Sequence, residues 1–301
     1  MRVAITGSTG LIGTRLVRDL RAEGVEVLRV VRPESEDPGA PGVGSIAWDP
    51  TRQTIDREAL EGLDAVVHLA GAGIGDARWT GDRKRLIMRS RIDGTTLLAT
   101  ALGGLRRPPA VLLSASGIGY YGDTGPRVTD ESGRVGHDFV AEVCAAWEAA
   151  TAPASAAGIR VVHLRSGVVQ APEGGALAAQ LPFFRLGLGG RSGSGQQYLS
   201  WITLHDEARA IRFLLDHDVS GPVNLVSPEP TTNADYVRAL GRVLHRPTTF
   251  IPMLAPRLLY GRELADSLLL TSQRIVPGVL TEAGFRFDHP QIEGALRALL
   301  G

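Results

Sequence analysis

The chain has one cysteine, Cys144, and one lysine, Lys84, among 301 residues. A lone cysteine excludes an internal disulfide and any zinc site built on cysteine pairs. The seven histidines are scattered, with no pair at ligand spacing to acids or to the cysteine, so no metal is expected. An excess of charge is missing as well: 32 basic and 32 acidic residues give a formal net charge of zero. That balance excludes the electrostatic footprint of a nucleic-acid binder or of a protein held on an anionic membrane. No apolar run reaches the ~18 residues of a membrane span. The chain opens directly on an apolar strand, which predicts no leader peptide and a cytoplasmic location. What remains is ordinary globular composition, 44% hydrophobic and 21% charged, long enough for one large α/β domain with a smaller one appended.

The first thirteen residues carry the sharpest signal. A short apolar strand, Val3 to Thr6, runs into Gly7, Gly10 and Gly13, and Leu11, Leu16, Val17 and Leu20 follow near helical spacing. This strand–turn–helix order is the context a dinucleotide-binding turn requires. Gly7 permits the tight turn, Gly10 lets backbone approach a pyrophosphate, and Gly13 lets the helix pack on the strand. The unpaired N–H groups and positive dipole end of the helix then face the phosphates. A second strand, Val25 to Val31, closes on Arg32-Pro33. An acid at this point would bind a free ribose 2′-hydroxyl, whereas arginine suits a 2′-phosphate, so Arg32 points to NADP. Arg15 and Arg29 add charge nearby.

Residues 33–45, rich in proline, glycine and acid, read as a surface loop. Ile46 to Pro50 is a short third strand and turn. Leu63 to Gly71 is a nearly continuous apolar run, which fits a strand buried on both faces of a parallel sheet. His68 within it reads as a satisfied core histidine. Ala70 and Gly71 end the run with small residues, at the sheet edge where ligands gather. A long helix follows from Lys84 through Arg91 to Leu102, then a buried strand ending Ser114-Ala-Ser116, and an irregular loop with Tyr120 and Tyr121. Phe139 to Ala150 is helical and Ile159 to Val169 is a further strand. The alternation predicts a Rossmann-like, doubly wound parallel sheet. Residues 170–197 are glycine-rich and read as a mobile segment over a cleft. Gln196, Gln197, Tyr198, Trp201 and Asn233 suggest an amide- and ring-lined wall for a hydroxylated ligand. The expected division is a cofactor-binding domain over 1–169, with 198–227 returning to its sheet, and a smaller, mostly helical substrate domain over 228–301.

These motifs together resemble the extended short-chain dehydrogenase/reductases. Trp48-Asp49-Pro50, Arg78-Trp79, Ser90-Arg91, Gly119-Tyr-Tyr121, Trp147-Glu148, Arg165-Ser-Gly-Val-Val169, Ser200-Trp-Ile202 and the tail Ser272 to Pro277 narrow the likeness. They match an atypical subgroup of epimerase family proteins, nucleoside-diphosphate-sugar epimerases with a C-terminal domain of unknown function. The resemblance implies an NADP(H) cofactor held by Gly7, Thr9, Gly10, Leu11, Ile12, Gly13, Val31, Arg32, Leu69, Ala70, Gly71, Arg91 and Val169. It also implies a small-molecule substrate, a sugar nucleotide or another carbonyl compound, and a monomer or homodimer.

The parent superfamily uses a tyrosine that moves a proton and a lysine four residues later that lowers the tyrosine pKa. Four residues before Lys84 stands Thr80, so that pair has no place in this chain. Phe139 and Val143 align best with its positions, and neither exchanges a proton. Two readings stay open. In one, the protein is an oxidoreductase or epimerase whose candidate catalytic groups are Ser116, Tyr120 and Tyr121, with the Glu142 carboxylate or a water behind the tyrosines. Ser116 either polarises a carbonyl or is a strand-end hydroxyl satisfied by backbone. In the other, the chain is a non-catalytic NADP(H)-binding sensor or regulatory protein.

Overall fold

The computed structural model describes residues 1–32 and 44–301. The loop expected from Pro33 and Glu34 onward lies outside the described residues up to 43. The chain runs β1 (Arg2–Thr6), α1 (Leu11–Ala22), β2 (Glu26–Val31), β3 (Gly44–Asp49), β4 (Thr54–Ile55), β5 (Ala65–His68), α2 (Gly81–Gly103) and β6 (Val111–Gly117). A 3₁₀ turn (Ile118–Tyr121) leads to α3 (Phe139–Ala149), α4 (Ala152–Ala156), β7 (Arg160–Ser166), β8 (Val168–Gln170), α5 (Gly175–Arg185) and β9 (Gly190–Ser192). Then come β10 (Tyr198–Leu199), β11 (Trp201–Thr203), α6 (Leu204–Asp216), β12 (Gly221–Leu225), β13 (Thr231–Thr232) and α7 (Asn233–Val243). The chain closes with β14 (Thr249–Ile251), α8 (Leu254–Tyr260), α9 (Arg262–Leu269), α10 (Gly278–Glu282) and α11 (Ile292–Leu300).

Eight strands form one sheet in the order β12-β7-β6-β5-β1-β2-β3-β4, parallel throughout except at β4. Successive strands move outward in opposite directions from β1, which places the topological switch between β1 and β5. Strand residues alternate between two cores. Val3 and Ile5 pack with Leu16 and Leu20 of α1 and Ile211 and Leu214 of α6, while Ala4 packs with Leu98 and Leu102 of α2 on the other face. The doubly wound expectation is met.

The glycine-rich stretch is not a loose segment. Leu177, Leu181 and Phe184 on α5 are buried against Tyr236, Val237 and Leu240 of α7 and Leu296 of α11. Spacing by three and four residues lets a helix form in spite of the flanking glycines and the internal Pro182. Among the described residues no helix is long and apolar enough to cross a membrane.

Candidate functional site

The site begins at the end of β1. Gly7 has φ +65°, and a Cβ there would lie 2.8 Å from the Leu69 carbonyl carbon, so both conformation and space demand glycine. At Gly13 a Cβ would come within 2.2 Å of the Gly7 oxygen. Gly10 stands at the N-cap of α1 with no side chain capping it and no acid in the first turn. The leading N–H groups of α1 are therefore free to meet an anion. Thr9 and Gly10 are exposed, Leu11 and Ile12 half-buried. Beneath the turn, Arg29 donates from Nε to Ser8 Oγ at 3.0 Å and is itself buried. Arg29, expected only to add charge, thus supports the turn from below. Arg15 is turned away, onto Asp19 (2.5 Å) and His205.

Val31 ends β2, and Arg32 beyond it is exposed. Across the switch, Leu69 and Ala70 leave β5 with their amides held by Thr6 Oγ1 at 3.0 and 3.1 Å. Gly71 meets Arg91: a Cβ there would lie 3.3 Å from the Arg91 guanidinium carbon. Arg91 is buried, donates to the Ala72 carbonyl at 2.8 Å and stacks 4.6 Å over Trp147. Burial lowers its pKa, yet among the described residues its Nε has no partner. Val169, in β8, is half-buried; its neighbours Gly174 and Gly175 approach Leu11.

The candidate catalytic residues lie on β6 and the turn after it. Ser116 donates to Glu148 Oε1 at 2.7 Å. Arg165 grips the same carboxylate, Nε to Oε1 and Nη2 to Oε2, each at 2.8 Å. Its remaining arm, Nη1, donates to the Tyr121 hydroxyl at 2.8 Å, which donates in turn to Asn224 Oδ1 at 2.7 Å. Asn224 Nδ2 completes the chain on the Val276 carbonyl. Burial pushes the Tyr121 phenol up to about 12 against the pull of Arg165. Burial opposes the Arg165 charge, but Glu148 and Tyr121 outweigh it and raise its pKa above the ordinary arginine value. Tyr120 has Arg165 3.5 Å over its ring and makes no hydrogen bond through its hydroxyl among the described residues.

Two expectations change here. Glu142 does not stand behind the tyrosines: it is exposed on α3, and the group against both phenol rings is the Arg165 guanidinium. The proposed ligand wall is mostly structural: Trp201 is fully buried, Gln197 donates to the Ser192 and Leu269 carbonyls, and Asn233 accepts from the Ser192 amide. Phe139 meets the Trp79 ring at 5.0 Å, with the Lys84 ammonium 4.9 Å from its centroid, and Val143 is buried.

The C-terminal part laces the tyrosine turn in place. Thr124 N–H donates to the Ser272 carbonyl at 2.8 Å, and Gln273 Nε2 donates to the Ile118 and Gly122 carbonyls at 2.9 and 3.1 Å. Ser200 donates to the Gln273 carbonyl at 2.8 Å, tying the same tail to the segment before β11. A separate cleft of about 750 Å³ lies between α1, α6 and residues 284–286, lined by Arg15, His205, Arg212 and Phe285 rather than by the glycine turn. His205, Asp206 and Asp288 come together at one end of it. Asp206 already accepts from the Asp288 and His289 amides, so its carboxylate is engaged in capping.

The glycine turn, the switch point and the serine-bearing strand match a known family model, described as the NAD dependent epimerase/dehydratase family, over residues 3–226. The chain belongs to that family. A domain of unknown function, DUF1731, matches residues 251–299. An epimerase family protein of Mycobacterium bovis is 45% identical over 298 residues, covering 98% of this chain and 96% of its own. The crystal structure of human epimerase family protein SDR39U1 with NADPH superposes with a TM-score of 0.89 at 34% identity, covering 99% of both chains. The nucleoside-diphosphate sugar epimerase from Corynebacterium glutamicum gives 0.80 at 35% identity, covering all of this chain and 58% of that one.

Proposed function

We propose that this member of the epimerase/dehydratase family is an NADP(H)-dependent oxidoreductase or epimerase acting on a hydroxylated small molecule, such as a sugar nucleotide, without the superfamily's Tyr–Lys pair. The observation that carries the reading is the uncapped N-terminus of α1 behind a glycine turn in which a Cβ at Gly7 or Gly13 has no room. Residues 1–169 and 198–227 form the cofactor half and 228–301 the part facing it, with 170–197 between. Gly7, Thr9, Gly10, Leu11, Ile12 and Gly13 take the pyrophosphate. Val31 and Arg32 take the adenosine ribose, with the Arg32 guanidinium on the 2′-phosphate. Leu69, Ala70, Gly71 and Val169 flank the nicotinamide half. Arg91, buried with an unpartnered Nε, faces the second ribose in place of the missing lysine. The bound dinucleotide supplies hydride exchange; Ser116 and Tyr120 orient the reacting group, and Tyr121 holds Arg165.

Binding of NADPH, NADP, NADH and NAD by wild type and by Arg32→Ala tests the reading. Preference for the phosphorylated pair that collapses in the variant supports it; absence of binding by all four sinks it. A second reading, a nucleotide-binding regulator without turnover, is favoured by Phe139 and Val143, which offer no proton at the positions where the superfamily keeps its acid–base pair. Product formation from a sugar-nucleotide and carbonyl panel separates the two.

A further inference from the structure

Ser116 carries one proton, and that proton is already placed. Its hydroxyl lies 2.7 Å from Glu148 Oε1, and the Glu148 carboxylate accepts guanidinium N–H bonds on both oxygens from Arg165. A carboxylate in such a fork is the ionised form, an acceptor with no proton to give. Ser116 is therefore the donor in the pair, and what its Oγ offers elsewhere is lone pairs. A serine hydroxyl has two. The Cys144 thiol, buried and pushed up to about 11 by that burial, remains a protonated, weak donor beside Ser116. It engages one lone pair at most. Ser116 retains 9% of its surface at the C-terminal edge of β6, where the sheet presents ligands.

We infer that Ser116 is locked as a hydrogen-bond acceptor, so that the ligand group it receives is a hydroxyl donor and not a carbonyl. The inference rests on the oxidoreductase reading for its ligand and reverses the role the superfamily's serine would have as a carbonyl-polarising donor. When an alcohol is oxidised here, the substrate O–H breaks and an Oγ–H bond forms. The original Ser116 O–H breaks and its proton passes to Glu148 Oε1. The hydride leaves the alcohol carbon for an oxidised nicotinamide dinucleotide. Glu148 thus acts through Ser116 as proton acceptor, and Arg165, by holding that carboxylate ionised, biases the site toward bound alcohol. Tyr121 adds no competing donor, because its own proton is held by Asn224 at 2.7 Å.

Two measurements test this without turnover. With protein loaded with tetrahydro-NADP, which cannot transfer hydride, saturation-transfer NMR compares cyclohexanol with cyclohexanone, rings of similar shape and opposite hydrogen-bond polarity. Cyclohexanol is expected to bind about tenfold more tightly, with the preference lost in Ser116→Ala. Equal binding, ketone preference, or a preference that survives Ser116→Ala overturns the inference. Carbon-13 labelling of glutamate side chains reads Glu148 directly, whether or not either ring or any nucleotide binds. A carboxylate signal, and not that of a carboxylic acid, is expected, because Arg165 donates to both oxygens. A protonated Glu148 would free the Ser116 proton and overturn the assignment, while failed NADPH binding alone would count against the oxidoreductase reading instead.

Discussion

Thr6 gives its hydroxyl proton to His68. The Thr6 Oγ1 accepts the backbone N–H groups of Leu69 and Ala70, so its own hydrogen points at His68 Nδ1, 2.7 Å away. Nδ1 is then the acceptor, and Nε2 carries the ring proton toward Thr95 Oγ1 at 2.9 Å, where the Trp147 indole N–H also arrives. One threonine thus sets the exit of β5, against which Gly7 turns, and the tautomer of a fully buried histidine. Thr6→Val keeps the shape, strands the Ala70 amide and an imidazole nitrogen, and leaves the Leu69 amide only its 3.4 Å bond to the Thr6 carbonyl. A loss of about 2–4 kcal/mol is expected in urea unfolding. A loss under about 0.5 kcal/mol would mean that water or a shifted strand satisfies them.

Burial lowers the His68 pKa from 6.5 to about 4. Below 6.5 the unfolded chain takes up a proton that the folded chain refuses, so stability falls as pH drops from 6.5 toward about 4. The loss from this group is on the order of 3 kcal/mol. Unfolding free energies measured across that window should lose this component in His68→Gln.

Glu207 has the opposite sign. It is fully buried, accepts from Ser166 Oγ at 2.6 Å, and has a second oxygen with no partner among the described residues. Burial raises its pKa from 4.5 to about 8. Between those values the unfolded chain has lost a proton that the folded chain keeps, so stability falls as pH rises. Glu207→Gln removes the dependence. The variant should gain on wild type between pH 5 and pH 8.5 by a few kcal/mol, as read from denaturant midpoints; a constant difference would show Glu207 ionised in the fold.

Gly13→Ala and Gly10→Ala separate a packing glycine from an approach glycine. A Cβ at Gly13 meets backbone at 2.2 Å, whereas at Gly10 the nearest atom is the Gly7 oxygen at 3.3 Å. Gly13→Ala should lower the melting temperature by several degrees and abolish NADPH binding. Gly10→Ala should keep the fold and weaken binding. Equal melting losses for both would contradict this division.

Tyr121→Phe removes the link between Arg165 and Asn224, and should cost about 1–3 kcal/mol of stability. Tyr120→Phe removes a hydroxyl with no partner among the described residues and should leave stability within about 0.5 kcal/mol. Thermal unfolding of the two variants side by side checks the contrast.

The parts of this molecule legible in the sequence are those dictated by chain neighbours. β1, the glycine turn and α1 follow from three glycines and a 3.6-residue apolar period, and His68 betrays its burial by standing inside an apolar run. Glu148 is not legible as Ser116's partner, because the two lie 32 residues apart and only the β6–β7 register, which sets Ser116 beside Arg165, brings the set together. Trp201, Gln197 and Asn233 carry the side chains of a ligand wall, but the Glu229 carbonyl takes the Trp201 indole N–H, and backbone groups of β9 and α9 claim the polar atoms of the other two. In α5 the glycines outweigh the apolar spacing to the eye, although three buried side chains suffice to hold the helix.

The bonds from Ser272 and Gln273 to Ile118, Gly122 and Thr124 span some 150 residues. During synthesis the central sheet has all its strands once β12 has emerged at Leu225, yet the tyrosine turn still lacks the carbonyl and amide partners that fix it. For the roughly fifty residues between, a nascent chain has every strand of the sheet while the tyrosine turn, and the core positions later filled by Leu280 and Phe285, are unfinished. The turn is fixed only near the C-terminus, so a chain that stalls or is clipped before Gln273 cannot set it.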